Sequence, residues 1–186
     1  MPLRVTFTLA DDDIRHLRAR VKQARKAADE AGETAVLRSA KRLVKKLQGP
    51  GGLPSFVAEK LSSLETLIAM VEDQRWAAPQ RVRERVLDAL AYFTDPADLI
   101  PDDIPGLGFL DDAILIELVC RDLRHEIEAY RDFQSFGRVD KEGRRGDTTE
   151  ESEFRERRER LRRRARRRTR RDREGASGRG TRVSLW

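Results

Sequence analysis

Two runs of ionisable residues carry whatever chemistry this chain can do. The first is Tyr92–Ala113, YFTDPADLIPDDIPGLGFLDDA, which sets six aspartates among three prolines and two glycines. Residues 86–120 hold eight carboxylates and no Lys, Arg or His. Carboxylates so crowded repel one another, and a hard divalent cation such as Mg²⁺ or Ca²⁺, which takes oxygen ligands, would offset that repulsion. Asp98, Asp102, Asp111 and Asp112 are the candidate ligands, with Asp95 nearby. Their spacing does not match the EF-hand loop, which places acidic groups at alternate positions and Gly at its sixth. The second run is Arg162–Arg171, RRRARRRTRR, with eight arginines in ten residues. It sits in a longer basic stretch of Arg155, Arg157, Arg158, Arg160, Arg162, Arg163, Arg164, Arg166, Arg167, Arg168, Arg170, Arg171 and Arg173. Guanidinium is always charged and forks onto phosphate through two hydrogen bonds. Neutralising about eight phosphates would give a log–log salt slope near −7 on duplex DNA. No aromatic interleaves the arginines, so base stacking and sequence readout are not implied. The expected partner is nucleic acid or a ribosome, contacted without sequence preference. An anionic membrane surface is the alternative. A solvated basic face with no dedicated partner is the plainest reading.

Cap and turn chemistry alone accounts for most of the acidic run. Asp95-Pro96-Ala97-Asp98 reads as the first turn of a short helix, with Asp95 as N-cap and Pro96 at the position where a missing N–H costs nothing. Pro101 and Pro105 push Ile100 and Ile104 out of helical space. Gly106 and Gly108 permit tight or left-handed backbone. Asp111 and Asp112 suit the first turn of the next helix. Leu99, Ile100, Ile104, Leu107 and Phe109 would pin this linker to the core. A third account is internal. The basic helices of residues 15–46, with 11 basic and 3 acidic groups, or the arginine tail, could lie against the acidic run.

The string DLIPDDIPGLGFLDDA, residues 98–113, resembles the bacterial YkvA-like family, a domain of unknown function. The likeness extends over about residues 56–125. It implies an all-helical fold with a hairpin between the last two helices, and it implies no activity. More apolar members look membrane-associated. This chain has Asp95 and Asp103 where a small or apolar residue is expected, which argues against insertion.

The positioning elements follow from periodicity. Val5, Phe7 and Leu9 alternate with polar residues and suggest a short extended arm. Asp11, Asp12 and Asp13 offer N-caps and favourable first-turn charge to a helix whose stripe is Ile14, Leu17, Val21, Ala24, Ala28 and Ala31, stopped by Gly32. A second helix runs from about Ala35 to Leu47 with Val36, Ala40, Leu43 and Leu47 on one face. Gly49-Pro50-Gly51-Gly52 forms a hinge. Ser55 can cap a third helix bearing Phe56, Leu61, Leu64, Leu67, Ile68 and Val71. Pro79 can start a fourth, with Val82, Val86, Leu87, Leu90 and Phe93 inward. A fifth is expected from Phe109 to Phe136, with Ile114, Leu118, Ile127 and Tyr130 in the core, Arg121, Asp122 and Arg124 facing water, and Gly137 as C-cap. Beyond Asp140 apolar residues nearly vanish. Glu151, Glu153, Glu156 and Glu159 each precede an arginine by four residues, a pairing worth about 0.2–0.5 kcal/mol in a lone helix. Phe154, Leu161 and Ala165 look too few to dock it, so the spacing predicts a marginal helix and then a disordered end.

The expected architecture is therefore all-α. It has about five helices, divided into a basic N-terminal arm and helical pair (1–50), a YkvA-like helical domain (51–138) and an Arg-rich tail (139–186). Charge is uneven: residues 1–140 hold 21 basic and 24 acidic groups, residues 141–186 hold 18 and 9. The single Cys120 fits a reducing compartment and reads as a small core residue. His16 and His125 read as solvated. The first ten residues resemble no signal peptide. No apolar run approaches the roughly 20 residues of a spanning helix. GxSxG, HExxH, Walker A and dinucleotide fingerprints are absent, and zinc lacks ligands. These features lead to a non-enzymatic cytoplasmic adaptor with no cofactor, Mg²⁺ or Ca²⁺ being the exception to test. A peripheral protein on the inner membrane is the alternative. The apolar seam of the first helix would equally serve a homodimer.

Overall fold

The computed structural model describes residue 8 and residues 10–48, 55–95, 110–143 and 148–176. Its order is α1 (Asp11–Ala31), α2 (Glu33–Leu47), α3 (Ser55–Glu72), α4 (Gln80–Phe93), α5 (Leu110–Asp122), α6 (Arg124–Gly143) and α7 (Thr148–Ala176). The all-α expectation stands. The helices number seven among the described residues rather than five, and the extended arm around Val5, Phe7 and Leu9 lies outside those residues.

Apolar stripes place the first four helices. Ile14, Leu17, Val21 and Ala24 of α1 are buried, as are Val36, Leu37, Ala40 and Val44 of α2. Full burial of one such aliphatic side chain contributes about 1.5–3 kcal/mol. Helix α4 is the centre of the bundle and packs against α1, α2, α3 and α5. Its Val86 and Leu90 are wholly enclosed. The start of α1 differs from expectation. Ala10 occupies the cap, and its N–H donates to Asp13 Oδ2 at 2.8 Å, while Asp11, Asp12 and Asp13 place negative charge in the first turn. Gly32 ends α1 at φ +82, where a side chain would be strained, and its carbonyl accepts the first N–H groups of α2 from Ala35 and Val36.

Two arginines lock the bundle across elements. Arg83 of α4 forks onto Glu33 of α2 and donates to the Val71 carbonyl of α3 at 2.7 Å. Arg25 of α1 pairs with Asp88 of α4 and with Asp29 at 2.8 Å. Burial pushes the Asp88 carboxyl up despite Arg25, while Asp88 and then Asp29 hold Arg25 in its charged form. The cost of desolvating Asp88 offsets much of the attraction, so this contact orients α1 on α4 more than it stabilises it.

The single fifth helix expected over Phe109–Phe136 is divided at Leu123. Residues on either side serve different partners: α5 packs on α3 and α4, whereas α6 packs chiefly on α7. Leu123 is fully enclosed at the turn, and backbone bonds continue through it, from its N–H to Val119 and from Ile127 to its carbonyl (both 2.9 Å). Gly137 is not a C-cap, because α6 runs on to Gly143. It provides a flat patch: a Cβ there would stand 3.4 Å from the Phe154 ring.

Candidate functional site

The arginine stretch is a long docked helix, not a marginal one. Phe154, Leu161 and Ala165 are spaced seven and four apart, which puts them on one face, and all three are buried. Five aromatic rings from three elements make the seat. Phe154 meets Phe133 and Phe136 edge-on at 5.7 and 5.1 Å, and Trp76 meets Tyr130 and Phe133 at 5.7 and 5.3 Å. Such pairs contribute about 0.5–1.5 kcal/mol beyond their buried area. Arg75 lies over the Phe154 ring at 3.6 Å. The expectation that three apolar residues could not hold this helix counted only its own side and missed the partners on α6 and on the 73–79 turn.

Two arginines of the basic run form clamps. Arg158 donates to the Arg75 carbonyl at 2.9 Å, and Arg162 donates to the carbonyls of Trp76 and Ala77. Asp73 shapes that turn by accepting from the N–H groups of Arg75 (2.9 Å) and Trp76 (3.1 Å), and Ala77 takes a positive φ of 45. Carbonyls directed outward by a tight turn are thus met by guanidinium forks. Burial, with Arg158 and Arg166 nearby, pulls Arg162 down to about 10. Arg157 also turns inward, 5.4 Å from the Phe136 ring.

A charged cluster fixes the far half of α7. His125 is 7% exposed, so it is a buried residue rather than a solvated one. Its Nε2 lies 2.6 Å from Asp172 Oδ2, and Nδ1 lies 3.7 Å from Glu128. Arg124 pairs with the same Asp172, and Arg168 reaches Glu128 at 2.5 Å. Arg124 is therefore engaged with α7 and only half exposed. Nothing local in the sequence distinguishes His125 from His16, which is exposed. The missing signal was Asp172, the lone acid between Glu159 and Glu174.

The remaining arginines form an outward ridge. Arg155, Arg160, Arg163, Arg164, Arg166, Arg167, Arg170, Arg171 and Arg173 are exposed. Arg164 faces Asp132 at 3.9 Å and Arg170 bonds Glu174 at 2.7 Å. From Arg160 to Arg171 the ridge contains no acid and spans about 16 Å of helix axis. Arg164, Arg168 and Asp172 carry ion pairs from α7 to α6.

The acidic run is only partly in view. Pro96, Asp98, Pro101, Asp102, Pro105, Gly106 and Gly108 lie outside the described residues. For Asp111 and Asp112 only the helical backbone of α5 is described. The Asp95 N–H donates to the Tyr92 carbonyl at 3.0 Å. Two of the eight carboxylates do meet bases from other helices: Asp88 meets Arg25, and Glu117 meets Lys60 at 2.6 Å. Among the described residues no group of three His, Cys, Asp or Glu could hold a metal ion. Cys120 is half-buried and burial pushes its thiol up to about 11, which leaves it protonated and unreactive near neutral pH. No described helix is long and apolar enough to cross a membrane.

Residues 86–118 match the family model described as a protein of unknown function (DUF1232). The chain is similar to the "Uncharacterized membrane protein YkvA" of Bacillus subtilis (strain 168), with 32% identity over 74 residues, which are 38% of this chain and 70% of that protein. No solved structure matches.

Proposed function

The chain belongs to the YkvA-like family, whose members are proteins of unknown function, and from there we propose that it is a non-enzymatic binding protein whose α7 ridge grips a phosphate backbone, such as that of nucleic acid or a ribosome, without reading sequence. One observation carries this reading. The helix is seated by its own apolar and inward arginine side chains, so the backbone that carries the outward arginines is already ordered and only their side-chain freedom is lost on binding. Forked guanidiniums at helical spacing suit a phosphate chain. Arg158, Arg162 and Arg168 are already engaged, so fewer cations are free than the sequence run contains. With about four to six phosphates engaged, the log–log salt slope on duplex DNA is expected near −4 to −5. Fluorescence anisotropy of a labelled duplex and a labelled single strand across a salt series tests it. A slope near −7 would mean that α7 leaves its seat to bind. Absence of binding at physiological salt would remove the proposal.

A second reading has its own observation. The Bacillus subtilis relative is called a membrane protein. The same ridge could hold an anionic bilayer surface, where each basic residue adds about 1 kcal/mol. Flotation with anionic but not neutral vesicles, reversed by salt, together with no oligonucleotide binding, would favour it.

A further inference from the structure

Helix α2 carries a second basic row, separate from the ridge. Arg38, Lys41, Arg42 and Lys45 are all exposed. They share about 100° of the helix circumference and span about 10 Å of its axis. The row is turned away from Val36, Ala40 and Val44, whose burial seats the helix. Glu33 is the one acid of α2, and Arg83 takes it. Lys41 pairs with Glu72 of α3 at 2.6 Å, and Arg42 donates to the Ser39 hydroxyl at 3.5 Å. Arg38, Arg42 and Lys45 have no acidic partner among the described residues. Row and ridge belong to helices on opposite sides of α4. Arg83 reaches Glu33 of α2, whereas Arg81 and Arg85 line the spaces between α4 and α7, beside Arg173. Residues two apart on a helix project about 200° apart, so α2 and α7 flank α4 from opposite sides.

We infer that the outward row of α2 is a second seat for a phosphate backbone, so that one chain bridges two separate duplex segments, one on α2 and one on α7. The α7 arm of this bridge rests on the function proposed above; the α2 arm rests on residues that the ridge does not use. The chemistry of the row selects the occupant. The exposed side chains described on α2 are Thr34, Arg38, Lys41, Arg42 and Lys45, and none is apolar. A helix that lies on a bilayer buries an apolar face in it, and the apolar face of α2 is already buried in the bundle. A flat bilayer also cannot meet rows on opposite sides of one molecule, whereas two duplex segments can. Cations without an acid partner suit a phosphate chain, and three of them engaged would give a log–log salt slope of about −2 to −3.

Stoichiometry tests the bridge. A short labelled duplex would be titrated at low salt with the full chain and with three variants of it, each checked for unchanged helicity. The α2 variant is Arg38→Gln/Arg42→Gln/Lys45→Gln, and the ridge variant is Arg160→Gln/Arg163→Gln/Arg167→Gln. The control, Arg15→Gln/Lys22→Gln/Lys26→Gln, removes three exposed cations of α1 and so matches the change in charge. Parent and control are expected to saturate at two duplexes per chain, and the α2 and ridge variants at one. A mixture of donor-labelled and acceptor-labelled duplexes should show energy transfer with parent and control, and lose it with either variant. Counting per chain separates this bridge from a dimer, in which each chain would hold one duplex. Two duplexes on the α2 variant overturn the inference. So does a control that drops to one duplex, since overall charge and not the row would then set the count. One duplex per parent chain overturns it too; the ridge reading then stands if the ridge variant loses that duplex, and falls if only the α2 variant does.

Discussion

Glu126 shows what a single residue contributes. It is 7% exposed on α6, and burial pushes its carboxyl above the ordinary value of 4.5, with Arg81, His125 and Arg85 pulling the other way. Folding therefore favours the neutral form. The stability this provides is fully present below about pH 4.5 and is lost as pH rises through the raised value. Glu126→Gln is neutral throughout and escapes that loss. Urea unfolding of both proteins from acid to neutral pH should show the difference in stability moving in favour of the variant as pH rises. A difference that stays constant would mean that the carboxyl is charged at no cost in the folded protein. The sequence did not single out Glu126, because an acid beside Ile127 in a helix is ordinarily the solvated member of the pair.

At the scale of elements, the critical one is α7. Phe154→Ala removes the ring that meets Phe133, Phe136 and Arg75, and large-to-small changes of this kind cost about 3–5 kcal/mol. Hydrogen exchange should then report opening of α7 ahead of α1–α5. Uniform opening of all helices would instead make α7 part of the global unit. The first four helices were legible because their stripes alternate in threes and fours over long stretches, as in Ile14, Leu17, Val21 and Ala24. Helix α7 was not. Its docking depends on rings contributed by Trp76, Phe133 and Phe136, which no local pattern joins to Phe154. The break at Leu123 was hidden for a related reason: an unbroken apolar run looks the same whether it serves one partner or two. The basic run read as a single feature, yet it divides by helical face, so that Arg158 and Arg162 build the fold while Arg163 and Arg167 stay exposed.

For the whole molecule, the proposed function makes the bundle of α1–α6 a platform and α7 the surface it presents. Residues 1–140 hold 21 basic and 24 acidic groups but include the basic stretch 15–46, and residues 141–186 hold 18 and 9, so the last segment carries the larger excess of positive charge. The most direct test pairs two variants of the full chain, Arg160→Gln/Arg163→Gln/Arg167→Gln on the ridge and Arg158→Gln/Arg162→Gln at the clamp, and measures melting temperature and the salt dependence of oligonucleotide binding on each. The ridge variant is expected to keep its melting temperature and to flatten the salt slope by about three. The clamp variant is expected to melt lower. A ridge variant that binds like the parent, or a clamp variant of unchanged stability, would contradict a helix held from within and offered outward.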